Sequence, residues 1–542
     1  MELLWTQLRK AQEYWGNLWG DESSFRKAEI VYLYIRVGFI IGIYFVIDRL
    51  LMRATHLDFE SFKAPFIYGE LLKISFQSWR LVPLLATTVL VVIFRHQLFD
   101  SWSKLAYGSS LRWLVVVATA ILAWEYSTYD FNLYFNQAHL LDRSLLLLFI
   151  PLIWWRPVFV LPFLTVVLPM IWQFTFLIGF SWTASYLLLR ISILFVACFI
   201  LYLANKRFPI LDFILVLGSL YAAHYWLPGW GKLSGTWIRY DQLPLILPAA
   251  FSNGWLSQFD SETIWSIVQA FSPVNGVMKV FVMFVEFGAF LFFFHRKLPF
   301  IMLFGWISMH IGILFFTGIS LWMWIAVDAT LLWLFLRKDG FAKLPLFSFH
   351  PILISLLLIV GGRFWCKPVE ISWYDLPFSY SYQVEALTDD DETIDLPLTF
   401  FAPYDYQFTL SGLAYLADNP MLYVIDVKDD AEFAKELLFL QSKDDFLSLE
   451  SAKGETGLDE DFAAHFDSFV QTFVRNWNER QDKKIGYSIL PAPELTLNYP
   501  RFRPDQLPLR IKEITIFQST AFFGADQYEE VRRIPIRTIK IN

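Results

Sequence analysis

The sequence predicts a polytopic α-helical membrane protein with a C-terminal, extracytoplasmic β-rich domain. Three observations predict it. The chain of 542 residues is 56% hydrophobic and 19% aromatic but only 18% charged, where ordinary soluble domains are about a quarter charged. Apolar stretches suited to a bilayer core, which needs about 20 residues per helix, recur as far as residue 364. Charge then divides the chain. Residues 367–542 hold 31 acidic and 17 basic side chains, a net of −14, whereas 1–366 carry 20 acidic and 27 basic, a net of +7. Lipid is the expected solvent of the first part and water that of the second.

Residues 1–28 are mixed polar and predict a cytoplasmic segment without a cleavable signal peptide. Apolar runs near 29–51, 79–95, 109–127, 143–155, 157–178, 183–204, 209–227, 276–294, 299–318, 319–336 and 349–364 then predict about eleven spans, within a range of nine to twelve. Short loops rich in Lys and Arg stay cytoplasmic. Arg26-Lys27, Arg95 with Lys104, Arg156, Lys206-Arg207, Arg296-Lys297 and Arg337-Lys338 all fall on one side if the spans alternate. That pattern places the N-terminus inside. It places the 128–142 loop, a long 228–275 connection and the acidic tail outside. The chain thus divides into a cytoplasmic segment 1–28, a transmembrane domain 29–364 and an extracytoplasmic domain 367–542.

In the tail, alternating segments at Val369–Trp373, Ser379–Leu387, Tyr406–Leu410, Leu422–Val427, Glu494–Tyr499 and Leu509–Phe517 have strand periodicity. Helical patterns cover about 429–441 and 460–480, and Ser451–Glu460 reads as a polar loop. With two cysteines, one in an apolar run (Cys198) and one beyond the last (Cys366), no disulfide is predicted. Cys and His show no metal-ligand spacing, and no basic stripe suggests nucleic acid, so the expected composition is metal-free with the lipid bilayer as a partner.

Ionisable residues inside a bilayer are functional candidates by default. Here they are Arg36, Arg190, His224, Glu286, His310 and Asp328. Glu286 and His310 sit on neighbouring spans, where they could form an ion pair or line a pocket. On the outer side the polar run from Glu125 to Arg143, with Asn136 and His139, reads either as a pocket mouth or as a solvated loop. The seventh span ends in His224-Tyr225-Trp226-Leu227-Pro228-Gly229-Trp230-Gly231-Lys232-Leu233, followed by Trp237-Ile238. Pro228 and the glycines are expected to break the helix there and set Lys232 on an aromatic shelf. Desolvation disfavours the charged form of a lysine and lets it act as a base near neutral pH. The commoner fate of an interfacial lysine is to snorkel.

Gly229-x-x-Lys232-Leu233-x-x-x-Trp237-Ile238 resembles the signature segment of vitamin K-dependent gamma-glutamyl carboxylases and their bacterial HTTM (horizontally transferred transmembrane) relatives. Asn136-Gln137-Ala138-His139-Leu140 ahead of Leu145–Ile150 is similar to the family's Asn-Asn-His stretch. Glu286, then Ser308-Met309-His310 continuing to Gly318-Ile319, is similar to its later His-bearing helix. The resemblance covers roughly 25–340. It departs after Trp237-Ile238, where Arg239-Tyr240 replaces the family's usual acidic residue and glycine, and the chain is much shorter than the animal enzymes.

The resemblance implies a membrane enzyme that uses reduced vitamin K or menaquinol as co-substrate. Lys232 would deprotonate the naphthoquinol for oxygen-dependent epoxidation, with or without carboxylation of glutamate by CO2. His139 and His310 would orient the quinol oxygens. Trp226, Trp230 and Trp237, with Tyr225, Asn136 and Glu286, would surround the ring. An extracytoplasmic protein or peptide would be the partner if carboxylation is retained. Two readings of other classes compete: a non-catalytic membrane anchor presenting the acidic domain, and a small-molecule transporter. The latter is weakened by the lack of two matching halves with interrupted helices.

Overall fold

In a computed structural model the described residues are Thr6, 27–78, 108–174, 186–204, 209–366, 376–421, 436–480, 490–497 and 510–541, with gaps of one to four residues inside some of these ranges. Among the described residues twelve main helices precede the tail: α1 (Lys27–Thr55), α2 (Ile67–Gln77), α3 (Gly108–Ser127), α4 (Leu140–Trp155), α5 (Val160–Trp172), α6 (Tyr186–Ala204), α7 (Ile210–Ser234), α8 (Leu243–Ser252), α9 (Ser261–Phe287), α10 (Leu298–Thr317), α11 (Trp322–Leu336) and α12 (Phe349–Val360). A single turn, α13 (Gly362–Trp365), follows. Among the described residues three helices, over Glu29–Thr55, Ser261–Leu291 and Leu298–Thr317, are long and apolar enough to cross a bilayer. Shorter apolar helices run over Pro157–Trp172, Tyr186–Tyr202, Leu243–Ser252, Trp322–Leu336 and Phe349–Val360. The expected span at 79–95 and the expected strands Val369–Trp373 and Leu422–Val427 lie outside the described residues, as do most of Tyr406–Leu410 and 429–441.

Two departures from the sequence reading concern the middle of the chain. Helix α7 does not stop at Pro228 but runs through it to Ser234. Proline removes one backbone donor and crowds the preceding turn, yet it is tolerated in membrane helices whose neighbours re-satisfy the freed groups; Pro151, Pro169 and Pro273 likewise sit inside helices. The long connection expected over 228–275 is itself largely helical, comprising α8 and the first half of α9. Asp260 caps α9 by accepting from the Thr263 amide at 2.7 Å, satisfying one of the donors a helix start leaves open.

The tail contains a four-stranded antiparallel sheet in the order β2 (Thr393–Leu396), β1 (Phe378–Thr388), β5 (Ile511–Gly524), β6 (Gln527–Lys540). A two-stranded ribbon pairs β3 (Pro420–Met421) with β4 (Glu455–Thr456). Where a polar loop was expected over Ser451–Glu460, the end of helix α14 (Lys443–Lys453) and strand β4 appear instead. Helix α15 (Glu460–Glu479) buries Phe466, Phe469, Val470, Phe473, Val474 and Trp477, a stripe spaced by three and four residues. Arg537 on β6 grips the Asp467 carboxylate on α15 with both ends of its guanidinium, at 2.8 and 2.6 Å.

This sheet and helix pack directly on ends of the apolar helices and on the loops between them. Tyr134 stacks edge-on against Phe469 at 4.8 Å. Tyr404 shares hydrogen bonds with the Asn132 side chain, which also donates to Gln173 at 3.0 Å. Residues 490–497 form a strap across two helix ends. Trp124 on α3 donates to the Leu490 carbonyl at 2.9 Å, and Ala492 donates to Thr128 at 3.0 Å. The Leu497 amide donates to the Gly318 carbonyl at 2.9 Å and the Ser320 amide to the Leu495 carbonyl at 2.6 Å. Gly318, at φ 69, supplies the left-handed residue that ends α10 and turns the chain into this contact.

Candidate functional site

Helix α7 carries two clusters of polar and aromatic side chains. Lys232 lies in its last turn, where a cation suits the partial negative charge of a helix C-terminus. Its Nζ donates to both oxygens of Glu286 on α9, at 2.6 and 2.5 Å. The two side chains are 15% and 7% exposed, so the pair is largely shielded from water. Trp226 stacks on Trp230, and Trp230 on Phe287, with ring centroids 5.8 and 6.3 Å apart. The Trp237 ring lies 5.7 Å from Nζ. Of the aromatic shelf expected around Lys232, Trp237 lies beside the ammonium, while Trp226 and Trp230 stack on one another and on Phe287; the partner of the lysine is a carboxylate that the sequence reading had linked to His310. The lysine is the cation of an ion pair.

Gly229 explains how the two helices come close enough for that pair. A Cβ at this position would meet the backbone of Glu286 and Phe287, with the Glu286 carbonyl carbon only 2.8 Å away. Only hydrogen fits where backbone faces backbone. In the motif Gly229-x-x-Lys232 the glycine sets the approach of α7 to α9, and the lysine, one turn on, reaches the carboxylate.

The second cluster lies two to three turns before Lys232 on α7 and centres on Asp328 of α11, which is fully buried. Tyr221 donates to its Oδ1 at 2.6 Å and Tyr225 to its Oδ2 at 3.0 Å. His310 Nδ1 is 3.3 Å from Oδ2. Tyr225 stacks flat on Trp306, with centroids 3.9 Å apart and planes 2° from parallel. Trp306 then donates its indole N–H to the Val285 carbonyl at 2.7 Å, one residue before Glu286, and so ties the two clusters together. Tyr221 and Trp306 were not picked out from the sequence. Each stands four residues before a residue that was (Tyr225 and His310), a spacing that shares one helix face.

His139 and Asn136 are engaged in a different constellation. His139 Nε2 lies 2.9 Å from the Phe62 carbonyl, to which it donates, and Nδ1 accepts from Tyr129 Oη at 3.0 Å. Both ring nitrogens are thereby used, at a residue with φ 46 directly before α4. Burial pushes the imidazole down to about 4. Asn136, at φ 54, accepts from Arg480 of the tail at 3.0 Å. Asp142 and Arg143 hold the same corner: the aspartate accepts from the Ile67 and Tyr68 amides at 2.9 and 2.8 Å, and the arginine donates to the Ser127 carbonyl at 2.5 Å. Asn136, His139, Asp142 and Arg143 of the polar run are thus bound to neighbouring loops and to the tail.

Other charged side chains of the apolar helices are paired as well. Arg36 on α1 bonds Asp212 on α7, and Arg190 on α6 lies 3.1 Å from His224 Nε2, whose Nδ1 faces the Leu220 carbonyl at 2.7 Å. Lys279 reaches Asp241 at 3.3 Å. No protein-family model, curated protein or solved structure matches this chain.

Two outcomes follow from this geometry. Gly229→Ala inserts a methyl between two backbones that have no room for it, and overpacking of this kind costs about 1–3 kcal/mol. The expected result is a lower midpoint in thermal unfolding of the purified protein; an unchanged midpoint would mean that α7 and α9 are not in contact there. The second outcome concerns pH. The unfolded chain protonates His139 near 6.5 whereas the folded one does so only near 4, so folding loses stability as pH falls through that window. Asp142, just ahead of the expected span at 143–155, acts oppositely, because desolvation raises its carboxyl from 3.8 to about 6. The His139 contribution is therefore read from the difference between wild type and His139→Gln, which should narrow on acidification from pH 6.5 to 4.

Proposed function

We propose that this chain is a multi-pass membrane enzyme that deprotonates a reduced naphthoquinone at the Lys232–Glu286 pair and directs it to oxygen-dependent epoxidation. The observation that carries this reading is a lysine shielded from water, bound to one carboxylate, with the Trp237 ring 5.7 Å from its ammonium and a Trp226–Trp230–Phe287 stack on the same two helices. The aromatic faces suit a flat bicyclic ring, and the Lys–Glu pair suits a phenolic proton. The resemblance of Gly229-x-x-Lys232-Leu233 to the carboxylase and HTTM signature supports the same chemistry.

In the proposed reaction the lysine passes its extra proton to Glu286, and the neutral amine takes the proton of one quinol hydroxyl. The anion adds to O2, and the adduct collapses to the epoxide with release of water. Quinol and O2 thus give epoxide and H2O with atoms and electrons balanced. Whether CO2 is also consumed depends on a protein or peptide glutamate reaching the site. His139 has no place in this scheme, because both of its nitrogens bind the protein.

The reading also includes a topology. The Lys/Arg loops place the N-terminus in the cytoplasm, about eleven spans in the bilayer, and the acidic tail outside. A reporter fused after Asn542 that works only in the cytoplasm should be silent; activity there would overturn this orientation.

The chemical test is incubation of the purified protein with reduced menaquinone and oxygen, followed by mass spectrometry for the epoxide. Lys232→Ala should lower turnover by about 10²–10⁴-fold, the usual contribution of general-base assistance. Lys232→Arg should fail as well, because a guanidinium stays protonated at working pH. Alkaline pH should partly restore Lys232→Ala, because hydroxide can then form the anion. Undiminished turnover of the alanine variant near neutral pH would remove Lys232 from the mechanism.

A further inference from the structure

The Asp328 cluster has more polar groups than the fold alone requires. A carboxylate enclosed among apolar helices is costly unless its oxygens are well bonded, and two tyrosine hydroxyls and a histidine already converge on this one. Around it the bonding is incomplete on one side. The ring of Trp324 lies 5.8 Å from that of His310 and 5.5 Å from that of Tyr225, and its buried indole N–H has no hydrogen-bond partner among the described residues. His310 is buried too. Its Nδ1 sits at ion-pair distance from Asp328 without the alignment of a full hydrogen bond. Among the described residues none bonds its Nε2. Catalytic hydrogen bonds are often long or misaligned before the substrate is bound.

We propose that Asp328 is a positioning residue: it holds His310 through Nδ1, so that Nε2, beside the Trp324 indole, meets a quinol oxygen and exchanges a proton with it. The proposal rests on the quinol reading above. Tyr225 and Lys232 are seven residues apart on one helix, about 10 Å along its axis, and Trp306 links the Asp328 cluster to the Lys232–Glu286 pair. In the step itself, a quinol O–H bond breaks and an N–H bond forms at Nε2. The Nδ1 proton stays on the ring and the Asp328 carboxylate balances the imidazolium. Tyr221 and Tyr225 keep the carboxylate oriented. Trp324 donates its free N–H to the same quinol oxygen, which a positioned donor stabilises as it gains charge.

The test is ¹⁵N NMR of ring-labelled histidine in the full-length protein, with the His310 signal assigned by its loss in His310→Gln, combined with the epoxide assay on reduced menaquinone and oxygen. The expected wild-type signature is the tautomer protonated at Nδ1. Asp328→Asn can present an amide N–H to Nδ1 instead, so it should shift His310 to the Nε2-protonated tautomer. It should also lower kcat about 10²-fold or more, with KM for menaquinol changed less than about threefold, the split expected for a group that acts in the transition state. Asp328→Glu, which keeps the carboxylate, should recover part of both. If Asp328→Asn does not fold, the wild-type tautomer and Asp328→Glu carry the test.

A wild-type His310 protonated at Nε2, or a tautomer and kcat unmoved by Asp328→Asn in a protein that does make epoxide, overturns the role of Asp328 and leaves the quinol reading standing. An Nδ1 tautomer that responds to Asp328, in a wild-type protein that makes no epoxide, overturns the quinol reading and with it the substrate assigned to the dyad.

Discussion

The contact between α7 and α9 at Gly229 governs the arrangement of the rest. It brings a lysine and a carboxylate 54 residues apart to hydrogen-bond distance in a setting nearly closed to water. Two such charges are worth burying only together: removing one partner of a buried pair costs about 3–5 kcal/mol, because the other is left uncompensated. The helices can approach this closely only because position 229 has no side chain. Trp306, donating to Val285 and stacking on Tyr225, then fixes α10 against both helices. One glycine and one ion pair therefore set the distances on which the second cluster also depends.

Local pattern made much of the helical part legible. The runs at 29–51, 109–127, 299–318 and 319–336 match α1, α3, α10 and α11 within a few residues, because apolar length is a property of one segment. So is the alternation of Ser379–Leu387, which is contained in β1, and the three-and-four spacing of α15. Pairing is different. Nothing near Glu286 in the sequence says that its partner is Lys232 rather than His310, and nothing near Asp328 names Tyr221. Those choices belong to helix packing. Proline misled in both directions: Pro228 was read as a terminator although α7 continues through it, and Pro535 lies within a strand that went unread. That strand, β6, is an edge strand, and Pro535 faces Phe517 at a shift in register, where a missing amide does no harm.

The tail is bound to the helices by specific polar contacts as well as by rings. Tyr404, Asn132 and Gln173 share one buried network, Arg480 reaches Asn136, and Asn476 donates to the Leu133 carbonyl at 2.6 Å. His139 and Asn136, which the motif resemblance had placed at the quinol, belong to this junction. Their left-handed backbone shapes the turn ahead of α4, and short polar residues are the ones that tolerate it. A His in a polar loop before a span looks the same in sequence whether it faces a ligand or a neighbouring loop. Its two hydrogen-bond partners decide the matter, and both are protein atoms.

The four cross-helix pairs of the apolar region differ in one respect that bears on function. In Arg36–Asp212 and Arg190–His224 the bonded partners lie on α1, α6 and α7, away from the aromatic shelf. Such pairs fix which helix neighbours which, the best-attested use of buried polar groups. The Trp237 ring lies 5.7 Å from the Lys232 ammonium, and Trp324, whose indole N–H has no partner among the described residues, lies against the rings of both His310 and His224. A buried donor without a partner costs about 1–3 kcal/mol, and the Trp265 and Trp322 indole N–H groups also lack one among the described residues. A ligand that brings its own acceptor removes that cost on binding.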